Sequence, residues 1–312
     1  MHKSDVARRI ARKLPGAAKC ALWLWVHARL GFSSDTEAAD HWLALELATE
    51  LGYRVPVFAR LGNGMKVRVV WNDFIGRTIQ REGYYEPELV KLFEKLLKPG
   101  MVFLDIGAHI GQYTLVASEL VGERGAVHSF EPDPETYKWL ASNLRLNQRK
   151  NVRLNQLALS NTAGKTEFYI SSPDDIGSNS LSPPSNFSGR VVEVALTTVD
   201  YYLAENHIPR VDLLKADIEG AEYAMLSGAD LLLRSEDKPV IIIEFEQARQ
   251  RAMGSSCAKL AQLLSARGYA LYKISEAGFE SYTPKEDDQP SFNILAIPVN
   301  RGSLLLELQN AA

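Results

Sequence analysis

The sequence predicts an α/β protein built on a doubly wound, mostly parallel sheet, and three observations carry that reading. From Met101 onward, short apolar runs alternate with helical patterns. Runs such as VFLDI and VIIIEF are apolar without a break, as strands covered on both faces are. The first run, Val102 to Ile106, passes through Gly107 and Gly111 directly into a helical stretch. Such a strand, glycine turn and helix start together make a ligand site, because glycine lets backbone approach closely and free helix N–H groups favour negative charge.

Taken in order, residues 1 to about 52 read as helical, with Asp35 a plausible N-cap and Ala38, Ala39, Trp42, Leu45 and Leu47 on one face. Val55–Leu61 and Met65–Trp71 flank Gly62-Asn63-Gly64, a hairpin signal. Glu88–Leu97 reads as a helix that Lys98-Pro99-Gly100 stops. Strands are expected at Val102–Ile106, Ala126–Phe130, Val152–Leu157, Val211–Ala216 and Val240–Phe245. Helices are expected at Gln112–Val121, Pro134–Leu146, Glu222–Leu233 and Ser256–Arg267. The runs at 269–274 and 292–297 close the sheet as an antiparallel edge pair. The rhythm breaks at 171–189, a Ser-, Pro-, Gly- and Asn-rich loop between the strand-like stretches TEFYI and RVVEVAL, placed where it could fold over the ligand crevice. The expected organisation is an N-terminal helical and hairpin cap at 1–80, a ligand-binding α/β domain at 81–300 and a tail at 301–312.

The chain has 312 residues, 46% hydrophobic and 23% charged, an ordinary globular balance. A net charge of −3 gives no global field that would recruit nucleic acid. Cys20 and Cys257 stand alone, which argues against a zinc cluster or disulfide framework and suits a reducing cytoplasm. Lys3, Arg8, Arg9, Arg12, Lys13 and Lys19 precede a short apolar run with Trp23 and Trp25, too short to span a bilayer. That basic helix could lie on a membrane surface or an acidic partner, or pack its Trp-Leu face on its own chain.

In a doubly wound sheet, ligands bind beyond the carboxyl ends of the strands. Those ends carry Asp105, Glu131, Asp217 with Glu219, and Glu244 with Glu246, all on one rim. Glu131 follows Gly107 by 24 residues, where an acid can accept hydrogen bonds from both hydroxyls of a ribose. A dinucleotide would call for G-x-G-x-x-G, yet His109 and Gln112 occupy the second and third glycine positions. A nucleoside cofactor without pyrophosphate fits better, and S-adenosylmethionine is one.

The motifs DIGAHIG, FEPDPETY with Asn143-Leu144 downstream, LKADIEGAE and IIIEFE resemble those of the FkbM-type methyltransferases, which are class I, Rossmann-like, S-adenosylmethionine-dependent enzymes. REGYYEPE and GSNSL match as well, so the resemblance covers about residues 70 to 300. The family usually has Asn where this chain has His109, a position that mainly offers its backbone. The resemblance implies that Asp105, Gly107, Ala108, His109 and Gly111 surround the methionine part of the cofactor. It places Glu131, with Pro132 beside it, on the ribose, Ala158 and Leu159 along the adenine, and Asp217 at the methionine amino group or the substrate.

The chemistry then needs alignment, desolvation and, for a hydroxyl acceptor, a group that takes its proton. Asp217, Glu219 and Glu244 are candidates, with Lys215 as an electrostatic neighbour. Glu219 and Glu222, three apart at a helix start, either face the crevice or stabilise the helix dipole. No defined metal-ligand set is visible. The expected activity is O-methylation of a small molecule, sugar or lipid-linked glycan. A nucleotide-dependent oxidoreductase and a non-catalytic cofactor-binding protein are the alternatives, and no nucleic-acid partner is expected.

Overall fold

The computed structural model describes residues 56–71, 73–171, 179–183, 187, 189–275, 277–284 and 288–310. The N-terminal segment expected to be helical and its basic run lie outside them, as does part of the polar loop. The described residues form two compact units, divided between Tyr85 and Glu86.

The first unit holds the expected hairpin. Strands β1 (Pro56–Arg60) and β2 (Lys66–Val70) pair antiparallel, with Pro56 opposite Val70. Asn63 Oδ1 accepts from the Met65 N–H at 3.3 Å and ties the turn. Helix α1 (Phe74–Glu82) follows, and the sequence reading missed it; Asp73 caps it by accepting from the Gly76 N–H at 2.9 Å.

The second unit begins with α2 (Pro87–Leu96) and β3 (Val102–Ile106), then α3 (Gln112–Val121), β4 (Ala126–Phe130), α4 (Pro134–Leu146) and β5 (Val152–Asn155). A detour follows through β6 (Ala158–Leu159), β7 (Gly164–Ile170), β8 (Arg190–Thr197) and α5 (Val199–Glu205). The chain returns as β9 (Leu213–Ala216), α6 (Glu222–Ser227), α7 (Asp230–Arg234), β10 (Val240–Glu246) and α8 (Gln247–Ala252). It ends with α9 (Cys257–Ala266), β11 (Tyr269–Ser275), β12 (Gly278–Ser281), β13 (Ser291–Pro298) and α10 (Ser303–Asn310).

The main sheet has eight strands in the order β5-β4-β3-β9-β10-β13-β11-β12. From β3 the chain first builds outward through β4 and β5, then returns to the other side of β3 as β9 and β10, with parallel pairing throughout. The gap between β3 and β9 is the topological switch point, where the crevice of such a sheet opens. Both faces are covered, as the doubly wound reading requires. Leu104, Ile106, Leu214, Ala216, Ile241 and Ile243 pack in one core with side chains from α5, α6, α7 and α9. Alternate residues point the other way, where Phe103 meets Phe93 of α2 edge-on at 5.1 Å.

Several boundaries differ from the sequence reading. The third expected strand stops at Asn155, because Ala158 and Leu159 pair with β8 in a separate three-stranded sheet. The polar loop is thus the connection of the antiparallel β7–β8 pair. The helix expected over 222–233 breaks at Gly228, whose carbonyl accepts from the Asp200 N–H and whose missing Cβ leaves room for the Ser160 carbonyl. The expected edge pair is antiparallel, but β13 lies inside β11, and β12, unread from sequence, forms the edge. The expected tail is helix α10, with Leu308 buried.

Candidate active site

The turn after β3 has a conformation few sequences allow. Gly107 sits at φ +84°, and a Cβ there would lie 2.0 Å from the Asp217 carbonyl. At Gly111, φ is +95° and a Cβ would strike Leu140 of α4. These glycines therefore also serve the protein's own packing at the switch point. His109 also has positive φ, +51°, a conformation that Asn and His tolerate better than most residues. Its backbone N–H donates to Glu131 Oε2 at 3.0 Å. The buried Asn143 of α4 fastens the turn from below by donating to the Ile110 carbonyl at 2.9 Å.

Glu131 follows β4 directly and is 6% exposed. Its Oε1 accepts from the Asp133 N–H at 2.9 Å. Burial pushes its carboxyl up to about 8, against those two donors. Pro132 is buried beside it. Asp133 then caps α4, accepting from Glu135 and Thr136, and Asn179 of the polar loop donates to Asp133 Oδ2 at 3.4 Å. The visible end of that loop is thereby attached next to Glu131.

Asp105 is wholly buried. Thr114 of α3 donates to its Oδ2 at 2.5 Å, while Oδ1 has no hydrogen-bond partner. Lys215 is its register partner on β9, also buried, and donates to Asp217 Oδ2 at 3.1 Å. Burial would lower the Lys215 ammonium, but Asp217, Asp105 and Glu86 together raise it. Burial, offset by Lys215, raises the Asp105 carboxyl.

On β10, Ile243 pairs with Ala216, which brings Glu244 alongside Asp217, and Glu244 in turn faces Asn293 of β13. Burial first, then Asp217, Glu222 and Glu219, push the Glu244 carboxyl up to about 10, and its Oε2 has no partner. Three residues unread from sequence complete this face: Tyr113 donates to Glu86 Oε2 at 2.7 Å, and Asn293 donates to Glu86 Oε1 at 2.9 Å.

The remaining candidates are already engaged by partners of their own. Glu219 is held by Arg249 at 2.8 Å. Glu222 is buried with both oxygens bonded: it accepts from the Ile218 N–H at 2.8 Å and from Gln250 at 2.5 Å. The side chains of Ala158 and Leu159 are absorbed in two hydrophobic cores, so any border they give a ligand is made by backbone. Ala108 is buried, with its N–H on the Phe130 carbonyl at 3.0 Å. No group of side chains suited to a metal ion occurs among the described residues, and none of their helices is long and apolar enough to cross a membrane.

A family model described as the methyltransferase FkbM domain matches residues 105–271. The 31-O-demethyl-FK506 methyltransferase FkbM of Streptomyces tacrolimicus is 28% identical over 161 residues, 43% of this chain and 61% of that protein. The hexuronic acid methyltransferase AglP of Haloferax volcanii is 24% identical over 203 residues, 65% of this chain and 79% of that protein. The solved structure of methyltransferase FkbM from Methylobacillus flagellatus aligns with a TM-score of 0.43 at 17% identity, over 67% of this chain and 50% of that one. The chain thus spans less than two thirds of the length of the first of these relatives.

Proposed function

Because the chain belongs to the FkbM methyltransferase family, we propose that it is an S-adenosylmethionine-dependent O-methyltransferase acting on a hydroxyl of a small molecule or glycan. The observation that carries this reading is the bond from the His109 N–H to Glu131, which sets a ribose-binding acid directly against the glycine turn. A carboxylate offers about four acceptor sites. When ionised, Glu131 spends two on backbone N–H groups, so two remain for vicinal ribose hydroxyls. The residues fit the cofactor in a second way, since Asp105 Oδ1 is buried and unpaired below the turn.

When bound, S-adenosylmethionine supplies a methyl carbon activated by its sulfonium. The chain's residues have to align the acceptor and take its proton. Asp217 is the favoured base. It is 32% exposed, and Lys215 occupies Oδ2, which leaves Oδ1 to take the acceptor proton. Glu244, protonated near neutral pH, donates a hydrogen bond that orients the acceptor oxygen. Glu219, spent on Arg249, is the weaker candidate, and Lys215 acts by holding Asp217. The relatives named for 31-O-demethyl-FK506 and a hexuronic acid support a hydroxylated acceptor.

The test is transfer of label from tritiated methyl donor to a panel of hydroxylated acceptors, glycosides included. Base-stable ether label that disappears in Asp217→Asn supports the reading. Donor binding without transfer to any hydroxylated acceptor opposes it and favours a non-catalytic binding protein.

A further inference from the structure

Glu86 begins α2 in the left-handed region at φ +49°, yet its side chain makes no cap for that helix. It turns instead to the sheet face that carries Asp105, Lys215 and Glu244. Its two hydrogen-bond donors, Tyr113 and Asn293, are neutral, and each carboxylate oxygen keeps an acceptor site. The residue is half-buried, so a ligand can reach it.

Charge on this face is unbalanced. Glu86, Asp105 and Asp217 all act on one ammonium, Lys215. That ammonium is engaged twice over, bonded to Asp217 and 4.7 Å from the centre of the Tyr113 ring. Burial raises the Glu86 carboxyl, and Asp217 raises it further against the pull of Lys215. Asp105, fully buried beside Lys215, keeps an unpaired Oδ1. The surplus is complementary to a compact cation with several N–H donors.

We propose that Glu86 binds the α-ammonium group of the methyl donor, an inference that rests on the cofactor reading above. Of the two cationic centres in S-adenosylmethionine, the sulfonium has no hydrogen to donate, whereas the ammonium has three. Charge-assisted bonds of this kind are the strong ones. Glu86 is thus a binding residue for the amino-acid end of the cofactor, across the switch point from Glu131 at the ribose.

The test compares two ligands by calorimetry. S-Adenosylhomocysteine carries the ammonium, and 5′-methylthioadenosine keeps the nucleoside and sulfur but lacks the amino-acid end. Glu86→Gln is expected to weaken the first about tenfold and to leave the second within about twofold. Glu86→Asp, which keeps the charge, is expected to recover part of the loss. Equal losses for both ligands, or none, would overturn the proposal, since a merely structural residue does not distinguish them. The wild-type protein supplies a check without any variant. If it holds 5′-methylthioadenosine as tightly as S-adenosylhomocysteine, this inference fails alone; if it binds neither, the cofactor reading fails and takes the inference with it.

Discussion

At the residue scale the account turns on a few carboxylates whose surroundings differ. Glu131→Ala removes the acceptors of two backbone N–H groups and of the ribose hydroxyls. Cofactor binding is expected to weaken by about 1–3 kcal/mol, and unchanged affinity in a titration would remove Glu131 from the ribose. Asp217→Asn should keep the fold and lose turnover, whereas full activity would move the base to another acid. Glu222 makes a prediction about pH. Its carboxyl is pushed up to about 7 from 4.5, first by burial. The folded protein therefore holds that proton more tightly than the unfolded chain does. Its stabilising contribution is complete below about pH 4.5 and is lost as pH rises through about 7, a change of up to about 3 kcal/mol. Glu222→Gln keeps an acceptor for the Ile218 N–H and offers a donor to Gln250 Oε1, which is unpaired. Between about pH 5 and 8.5 the wild-type Tm should fall relative to that variant, and parallel curves would contradict the assignment. Asp105 and Gly107 were legible because a strand, a turn and a helix start fix them within one short stretch, and Glu131 because it stands at the end of the next strand, 24 residues on. Glu86 and Asn293 were not, because they meet across 207 residues of chain. Tyr113 was hidden for another reason: it reads as one more apolar position of an amphipathic helix.

At the scale of elements, the turn after β3 is where chain geometry and chemistry coincide. Gly107→Ala would place a methyl group against the Asp217 carbonyl at a φ that Ala disfavours. The expected cost is about 2 kcal/mol or more, with weakened cofactor binding, since the shift displaces Asp217 itself. A thermal melt of that variant matching wild type would show that the turn can relax freely. Uninterrupted apolar strands and capped helices such as α4 announced themselves, because periodicity and caps are local signals. The break at Gly228 and the departure of Ala158 and Leu159 into a second sheet did not. Both depend on what packs against them, the Ser160 carbonyl in one case and β8 in the other. The position of β13 between β10 and β11 is likewise a matter of pairing that its own sequence does not encode.

At the scale of the whole molecule, the sheet order explains why so many polar groups gather in one place. Asp105, Lys215, Glu244 and Asn293 come from four adjacent strands and share the face opposite the core of Leu104, Leu214, Ile243 and Ile294. Alternation along each strand, applied across parallel register, makes that row inevitable once the order is set. With Asp217 and Glu86 beside it, its oxygens are what a cationic cofactor needs. The central claim is that this crevice binds S-adenosylmethionine and not a dinucleotide. Calorimetric titration of the purified chain with S-adenosylmethionine, with NAD as the control, tests it most directly. The account predicts saturable binding of the first, on the order of micromolar, and none of the second. A folded, ligand-free protein that ignores S-adenosylmethionine, or one that binds NAD, would contradict it.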